Sequence, residues 1–256
     1  MLNIMPQAEK YEPSVRRLIE NRPSAVETVL IRSALHAYKS SDKKHLAQFY
    51  VTFDRAVDGK KLDGLIITGA PVGAIDFENI TYWNELKSIF DYARTGIAGT
   101  LGICWGAIAV GKYLGADRTM LADKLFGVFP ARWLVKKHWS CGGSKSPFNC
   151  PQSRYASLDE RDLARLKKEG ALRLLAGSGA AGHFIFESAD GRFAGHMGHP
   201  EYDTDRIMFE YRRDQLKGLN LVPAHFEVGR PRDTWSGASL GFFGRWLKML
   251  EAKKAA

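Results

Sequence analysis

The sequence predicts an α/β fold with a parallel sheet in a single domain. Short apolar runs typical of buried strands alternate with amphipathic segments of helical period, the pattern of βαβ units. The chain has 256 residues, of which 45% are hydrophobic, enough to fill one sizeable core. No repeat, low-complexity tract or long linker divides it. One domain over residues 1–256 is therefore the simplest interpretation.

The N-terminal part of the chain supplies the predicted βαβ units. The helix predicted over Tyr11–Asn21 repeats its apolar residues at i, i+3 and i+4, which places them on one face. Consecutive parallel strands need a helical crossover, so this alternation favours parallel pairing. The other helices predicted in this part are Lys43–Phe53, Ile80–Arg94 and Ala107–Leu114, and the strands are Val26–Ile31, Leu62–Thr68 and Ile97–Cys104.

The C-terminal part begins with a less regular segment. Residues Asp117–Pro151 hold two tryptophans and a glycine pair, and indicate strands followed by an active-site loop. Ser157 and Glu160 have the spacing of a capping box, so they predict the start of a helix over Leu158–Lys168. Further strands are predicted at Leu172–Ala176, His183–Glu187 and Arg192–Met197, and helices at Thr204–Gly218 and Ala238–Leu250.

Composition excludes several classes of protein. No apolar run approaches the roughly 20 residues of a membrane span. The first ten residues lack a basic segment followed by an apolar one, so no secretory signal is predicted. Three cysteines are too few for a disulfide scaffold, and the odd number suits a reducing compartment. We expect a cytoplasmic protein with no membrane partner.

The charge favours anionic partners without choosing among them. Lysine and arginine number 37 against 28 acidic residues, a formal net charge of +9. The basic residues occur as scattered pairs such as Lys43-Lys44 and Lys136-Lys137, with no recognised nucleic-acid-binding module. A basic regulatory protein that binds nucleic acid is therefore the weaker alternative, and no nucleic-acid partner is predicted.

The motif Gly102-Ile103-Cys104-Trp105-Gly106 is the clearest local indication of chemistry. It lies where a predicted strand meets a helix, which is the setting of a nucleophile elbow. The helix N-terminus stabilises a thiolate at Cys104, and the N–H of Trp105 can point at an oxyanion. A buried cysteine between packing glycines would give the same pattern, so this motif alone does not decide.

The segment Gly198–Asp203 supplies the partners that a cysteine nucleophile needs. His199 and Glu201 are two residues apart, so in an extended segment their side chains point to one side. Imidazole can move the proton and a carboxylate can fix its orientation. Cys104, His199 and Glu201 together predict a catalytic triad. The alternative is a surface turn with a helix cap at Asp203.

The turn Thr68–Gly73 is a weaker indication. It follows a predicted strand beside the proposed elbow, and its backbone N–H groups could supply a second oxyanion donor. A plain turn needs no function. Cys141, Cys150, His138 and His196 lack any metal-ligand spacing, so we interpret them as structural and predict no metal site.

Stretches in order along nearly the whole chain match one known family. They are LNIMP (2–6), FYVTFD (49–54), DGLIITGAPVG (63–73), YWNELKSIFDYA (82–93), TLGICWGAIA (100–109), DKLFGVF (123–129), QSRYAS (152–157), GHPEYD (198–203), EYRRD (210–214) and the tryptophan-containing segment into LGFFGRWL (240–247). With these stretches the chain resembles the homoserine O-acyltransferases of the succinyltransferase type, a branch of the class I glutamine-amidotransferase-like fold. The resemblance implies a flavodoxin-like parallel sheet flanked by helices.

The resemblance also implies an activity. It implies transfer of succinyl from succinyl-CoA to L-homoserine, an early step toward methionine, by a ping-pong mechanism. Acyl-CoA is then a co-substrate, no cofactor is needed, and a homodimer is expected. By position, the family's acyl-accepting cysteine, base and orienting carboxylate are Cys104, His199 and Glu201, its substrate-binding residues are Lys124, Ser153 and Arg213, and Gly73 takes the position where glycine goes with succinyl-CoA and glutamate with acetyl-CoA.

Plainer interpretations exist for the residues that only the resemblance assigns. Lys124 could be a surface lysine and Ser153 a turn residue, while Arg213 could pair with Glu210 on its own helix. A glutamate at position 73 would fill space and repel a succinyl carboxylate, which agrees with the family rule.

The chain departs from the family at several places. Family members carry further residues before LNIMP, and a basic residue often follows that motif where this chain has Gln7-Ala8. The family's W-R-S-H is Trp235-Ser236-Gly237-Ala238 here. These departures leave acyl transfer as the leading hypothesis but leave L-serine open as acceptor and acetyl-CoA as donor. A glutamine amidohydrolase using the same triad is the other enzymatic alternative.

Overall fold

The computed structural model arranges residues 1–20 and 26–255 around a seven-stranded sheet, with a separate pair of short strands. The helices are α1 (Ala8–Ile19), α2 (Lys43–Phe49), α3 (Phe53–Val57), α4 (Trp83–Gly96), α5 (Trp105–Tyr113), α6 (Glu160–Lys168), α7 (Thr204–Leu216) and α8 (Ser236–Ala255), with a short 3-10 turn at Phe77–Asn79. The strands are β1 (Leu30–Ile31), β2 (Tyr50–Val51), β3 (Gly64–Ile67), β4 (Gly99–Ile103), β5 (Arg118–Trp133), β6 (Phe148–Leu158), β7 (Leu172–Ser178), β8 (Gly182–Ser188) and β9 (Phe193–His196).

The sheet has a parallel part and an antiparallel part. Its strand order is β3-β4-β9-β8-β7-β5-β6, in which β3, β4 and β9 are parallel. Leu2 forms parallel bridges to Ile31 and Ile67, which connects β1 and β2 to the β3 edge. The remaining pairs are antiparallel. For β7, β8 and β9 the reason is that these strands follow one another through connections too short for a crossover. The predicted α/β fold class is confirmed, and the sheet is mixed.

Helices cover both faces of the parallel strands. A Cβ on Gly99 would meet Leu250 of α8 at 2.7 Å, whereas a Cβ on Gly102 would meet the backbone of Gly106 in α5 at 2.3 Å. Residues three apart in a strand point to opposite faces, so α8 and α5 lie on opposite sides of β4. Gly102 is required by a close approach of backbone, because α5 begins directly above the end of the strand, whereas at Gly99 the start of the strand meets the terminal methyl group of Leu250 of α8.

Several predicted element boundaries are wrong. Ser157 lies in β6, and α6 is instead capped by Asp159, whose carboxylate accepts the N–H groups of Arg161 and Asp162. The helix predicted over Lys43–Phe53 is interrupted by β2, which pairs with β1. The other shifts are that α1 begins at Ala8, the strand predicted over Val26–Ile31 is limited to Leu30–Ile31, and Asn21, the predicted end of the first helix, lies outside the described residues.

No helix within residues 1–20 and 26–255 has both the length and the apolar character to cross a membrane.

Candidate active site

Cys104 occupies a strained turn between β4 and α5. Its backbone has φ 52° and ψ −114°, a region that residues other than glycine rarely adopt. Its N–H donates to the His196 carbonyl at 2.9 Å, which fixes the turn to β9. A Cβ on Gly106 would lie 2.4 Å from the Ile67 carbonyl oxygen, so the helix approaches β3 as closely as glycine allows. The turn therefore has the strained strand-to-helix geometry expected of a nucleophile elbow.

The structure brings His199 and Glu201 together beneath the elbow. Nδ1 of His199 lies 2.6 Å from Oε1 of Glu201, and both side chains are buried. The backbone N–H of His199 donates to the Pro151 carbonyl at 2.8 Å, and its ring stacks on Tyr202 with centroids 4.0 Å apart. These contacts leave the imidazole one orientation, with a hydrogen bond to Cys104.

The charges of the three groups support one another. Burial opposes protonation of His199, but the negative charges of Cys104 and Glu201 outweigh it and raise the imidazole pKa well above its usual value. Burial raises the pKa of Glu201, but the charge of His199 and the hydrogen bonds from His199, the backbone and Tyr11 together bring the pKa below its usual value. The arrangement favours a protonated imidazole paired with the Glu201 carboxylate, next to the Cys104 side chain.

Helix α1 holds the carboxylate of Glu201 in place, a contact that no sequence pattern indicated. The hydroxyl of Tyr11 donates to Glu201 Oε1 at 2.8 Å. Arg17 donates to the carbonyl oxygens of Glu201 and Tyr202 at 3.0 and 3.2 Å. Glu201 is thus fixed by a helix that precedes it by about 190 positions.

A cavity of about 550 Å³ opens above Cys104. Glu201 does not line it but lies behind His199. Another cavity, of about 670 Å³, lies by Gly64 and Trp246 at the other end of β3 and contains none of the predicted site residues. The predicted residues that line the cavity above Cys104 are Gly73, Cys104, Trp105, Lys124, Ser153, His199 and Arg213.

Lys124, Ser153 and Arg213 converge on two acidic residues of α7. Nζ of Lys124 lies 2.6 Å from Asp214 Oδ2 and 3.2 Å from Glu210 Oε2, and Ser153 donates to Glu210. Arg213 contacts the same carboxylates, with Nε 2.8 Å from Asp214 Oδ1. Lys124 is 4% exposed, so a surface lysine is excluded. The predicted pairing of Arg213 with Glu210 is present, at 3.5 Å.

Glu210 is the member of this cluster that the sequence reasoning missed as a site residue. Burial raises its pKa, but Lys124, His199 and hydrogen bonds from Ser153 and Tyr202 lower it to about 2. The carboxylate is therefore negative at any physiological pH. The available indication was its spacing of three and four residues from Arg213 and Asp214, which places all three on one side of a helix.

The turn after β3 forms the wall beside Cys104. A Cβ on Gly69 would lie 3.8 Å from the Cys104 sulfur, and Gly73 lines the cavity opposite Ala156. A Cβ on Gly73 would meet only Ala156, at 3.7 Å, so a side chain can be accommodated there. Trp105 is the first residue of α5, where a backbone N–H has no partner within the helix. Its N–H and those of the turn are the available oxyanion donors.

The other cysteines and histidines that the sequence analysis interpreted as structural lie in buried or half-buried positions. Burial raises the pKa of the Cys150 thiol and lowers that of His196 to about 4, so each is held neutral. His138 bonds to Ser140 and Glu187. Over the part of the chain that the structure describes, the cysteines are free, and no group of three or more His, Cys, Asp or Glu side chains is placed to hold a metal ion.

Comparison with known proteins finds similarity to one enzyme family. The family model described as Homoserine O-succinyltransferase matches residues 1–255. A homoserine O-acetyltransferase of Clostridium acetobutylicum is 37% identical over 255 residues, covering 96% of this chain and 83% of the relative. One from Geobacillus sp. (strain WCH70) gives the same identity and coverage.

Solved structures share the fold at low sequence identity. A glutamine amidotransferase from Thermotoga maritima superposes with a TM-score of 0.61 at 16% identity, covering 83% of this chain and 87% of that one. A glutamine amidotransferase from Methylobacillus flagellatus gives 0.57 at 16% identity, covering 80% and 88%. These likenesses bear on the fold alone.

Proposed function

This chain belongs to the homoserine O-succinyltransferase family, and from that premise we propose that it transfers the succinyl group of succinyl-CoA to the hydroxyl of L-homoserine through an acyl-cysteine. The coarser statement, that it is an acyltransferase, follows from the family and from the names of its relatives. The donor, the acceptor and the two-step course are the proposal.

In the first half-reaction Cys104 is acylated. Its thiolate attacks the thioester carbonyl, the bond between that carbon and the CoA sulfur breaks, and CoA leaves as a thiol with a proton from His199. The raised pKa of His199 keeps the imidazole protonated, so that it can supply that proton. The strained backbone of Cys104 directs its sulfur toward the cavity. The N–H groups of Trp105 and of the Gly69 turn are available to the oxyanion.

In the second half-reaction the acyl group passes to the acceptor. His199 takes the proton of the hydroxyl, the oxygen attacks the acyl-cysteine, and the Cys104 thiolate is released. Glu201 keeps Nδ1 of the imidazole engaged, so that Nε2 faces the cavity. CoA supplies the activated acyl group, and these steps need no prosthetic group.

The polar cluster suits a zwitterionic acceptor. The guanidinium of Arg213 can bind an α-carboxylate through two N–H groups, and Glu210 can accept an ammonium. Lys124 and Ser153 hold Glu210 in position at the cavity wall. Serine carries the same groups on a shorter side chain, and the acceptor assay described below distinguishes the two.

Gly73 supports succinyl as the donor group. It leaves the cavity open opposite Ala156, with no acidic side chain to repel a carboxylate. The two relatives named above are acetyltransferases, whereas the family model carries the succinyl name. Donor choice is therefore the part of the proposal that most needs a direct test.

One observation carries the proposal: Cys104, with His199 and Glu201 aligned beside it, opens into a cavity lined by Gly73 and Arg213. The test crosses succinyl-CoA, acetyl-CoA and butyryl-CoA with homoserine and serine, with mass spectrometry of the products. Glutamine alone is a parallel assay for amidohydrolase activity. O-Succinylhomoserine as the dominant product supports the proposal. Glutamate and ammonia from glutamine, with no acyl transfer, would contradict it.

A further inference from the structure

Helix α7 presents a third charged residue to the cavity, beyond those assigned above. Arg206, Glu210 and Arg213 are spaced four and three residues apart, and all three line the cavity. Side chains at this spacing share one face of a helix. Along this face the charges are positive, negative and positive. Its two ends are seven positions apart in sequence, or roughly 10 Å along the helix axis.

Arg206 lies close to the proposed base, and its contact with a charged group is long. Its guanidinium lies 5.5 Å from the centre of the Tyr202 ring, and that ring stacks on His199 at 4.0 Å. Its contact with Glu210 is long, at 3.6 Å. Among the described residues, its buried Nε–H has no hydrogen-bond acceptor. A buried donor without a partner carries a cost that a bound anion would relieve.

Both acidic groups of the cluster accept hydrogen bonds from donors other than Arg206. Glu210 Oε1 accepts the hydroxyl of Tyr202 at 2.6 Å, and its Oε2 lies 3.2 Å from Lys124. Asp214 is bonded to Lys124 and Arg213. Lys124, Arg206 and Arg213 thus face only Glu210 and Asp214. One positive charge remains, and it belongs to the residue with the weakest contact, Arg206.

Arg154, another cation that lines the cavity, does not offer the same surplus. Its guanidinium is buried and donates to the side chain of Gln152 at 3.0 Å and to the carbonyl oxygens of Ala156 and Ala181 at 2.9 and 2.7 Å. Arg154 therefore acts as a cross-link between strands, and Arg206 is the better candidate for a ligand.

We propose that Arg206 binds the distal carboxylate of a dicarboxylic acyl group, so that the α7 face recognises the two ends of an O-succinylated amino acid. Such a product is negative, positive and negative from its α-carboxylate to its acyl end, the complement of Arg213, Glu210 and Arg206. The extended span between its carboxylates is roughly 10 Å by backbone-like dimensions. This inference rests on the proposed function and adds a residue that selects the acyl chain by its charge.

The test compares acylation by donors with and without this charge. Arg206→Met removes the guanidinium but keeps a side chain of similar reach. Loss of one charged hydrogen-bonding contact predicts a fall of about 10- to 100-fold in kcat/KM for succinyl-CoA. Acetyl-CoA and uncharged butyryl-CoA should be used nearly as before. CoA release without acceptor isolates the first half-reaction, and Arg206→Lys should recover part of the loss.

A control variant distinguishes the loss of a positive charge inside the cavity from the loss of a positive charge elsewhere on α7. Arg212→Met removes the same charge from an exposed position of α7 and should leave all donors unaffected. Equal losses with every donor in Arg206→Met would mean that Arg206 binds the CoA moiety or supports the fold, and would overturn the inference alone. A wild type that uses acetyl-CoA but not succinyl-CoA would overturn the proposed donor as well.

Discussion

At the scale of single residues, one oxygen of Glu201 is the point on which the proposed base depends. Oε1 lies 2.6 Å from Nδ1 of His199 and accepts the hydroxyl of Tyr11 at 2.8 Å. Burial and the nearby charge of Glu201 raise the pKa of Tyr11 well above its usual value, so the phenol always donates. The Tyr11 hydrogen bond both positions the carboxylate and moderates its charge.

Replacing Tyr11 by phenylalanine should therefore change the pH dependence of catalysis. Without this donor Glu201 is more basic and raises the pKa of His199 further, because more of its charge acts on the imidazole. In the second half-reaction the base must be neutral, so the acidic limb of acceptor kcat/KM should move to higher pH. The measurement is the pH profile of that parameter in wild type and Tyr11→Phe.

Tyr50→Phe is the matched control. The Tyr50 hydroxyl donates at 2.7 Å to a different buried carboxylate, that of Glu12 in α1, which is not part of the triad. Both variants should lose about 1–3 kcal/mol of unfolding free energy, since each removes a buried hydrogen bond to a carboxylate. Only Tyr11→Phe should move the pH limb. An unchanged limb would reduce Tyr11 to a structural role.

The second prediction at this scale concerns Gly73. Gly73→Glu should shift donor preference from succinyl-CoA toward acetyl-CoA, because the new carboxylate occupies space and repels the acyl carboxylate. The backbone tolerates the change, since a Cβ there meets only Ala156 at 3.7 Å. The ratio of kcat/KM for the two donors is the readout. A ratio equal to that of wild type would place Gly73 outside the acyl pocket.

At the scale of elements, the sequence predicts local motifs better than long-range partners. The elbow could be predicted because Gly102, Cys104 and Gly106 lie within five consecutive residues, and each glycine is at a close approach of backbone. The contact of Tyr11 with Glu201 could not, because it joins segments about 190 residues apart. Sheet direction also escaped prediction, since apolar runs look alike in parallel and antiparallel strands.

Helix α7 shows the same difference between local features, which the sequence predicted, and tertiary contacts, which it did not. Its start after the Gly198–Asp203 segment and its closing glycine were predicted, and Asp203 caps it by accepting the N–H of Arg206 at 2.8 Å. Arg213 was assigned through family resemblance, whereas Glu210 and Arg206 needed the cavity to become visible. Helical spacing indicates which side chains share a face, but only tertiary packing determines what that face meets.

Arg213→Lys tests what α7 contributes. A lysine keeps the charge but cannot make two parallel N–H bonds to a carboxylate, so acceptor binding should weaken strongly. We expect a loss of about 2–5 kcal/mol in acceptor kcat/KM. CoA release in the first half-reaction should change little. Equal losses in both half-reactions would instead assign Arg213 to CoA binding or folding, and no loss would remove it from the site.

At the scale of the whole molecule, the proposed site lies at the edge of the sheet that is formed by the carboxyl ends of its parallel strands. The Thr68–Gly73 turn, Cys104 and the segment carrying His199 follow β3, β4 and β9, which are parallel neighbours. Their carboxyl ends therefore converge, as in other open α/β sheets. The N-terminal helix and α7 close this edge from the sides. Residues predicted from three separate stretches of sequence therefore lie around one cavity.

The most direct test of acyl transfer through cysteine is the intact mass of the protein after incubation with succinyl-CoA alone. Wild type should gain one succinyl group, mapped by peptide analysis to Cys104, and should lose it on addition of homoserine with formation of O-succinylhomoserine. Cys104→Ala should gain none and make no product. Product formation by Cys104→Ala, or turnover of wild type without any adduct on Cys104 during the reaction, would contradict the mechanism.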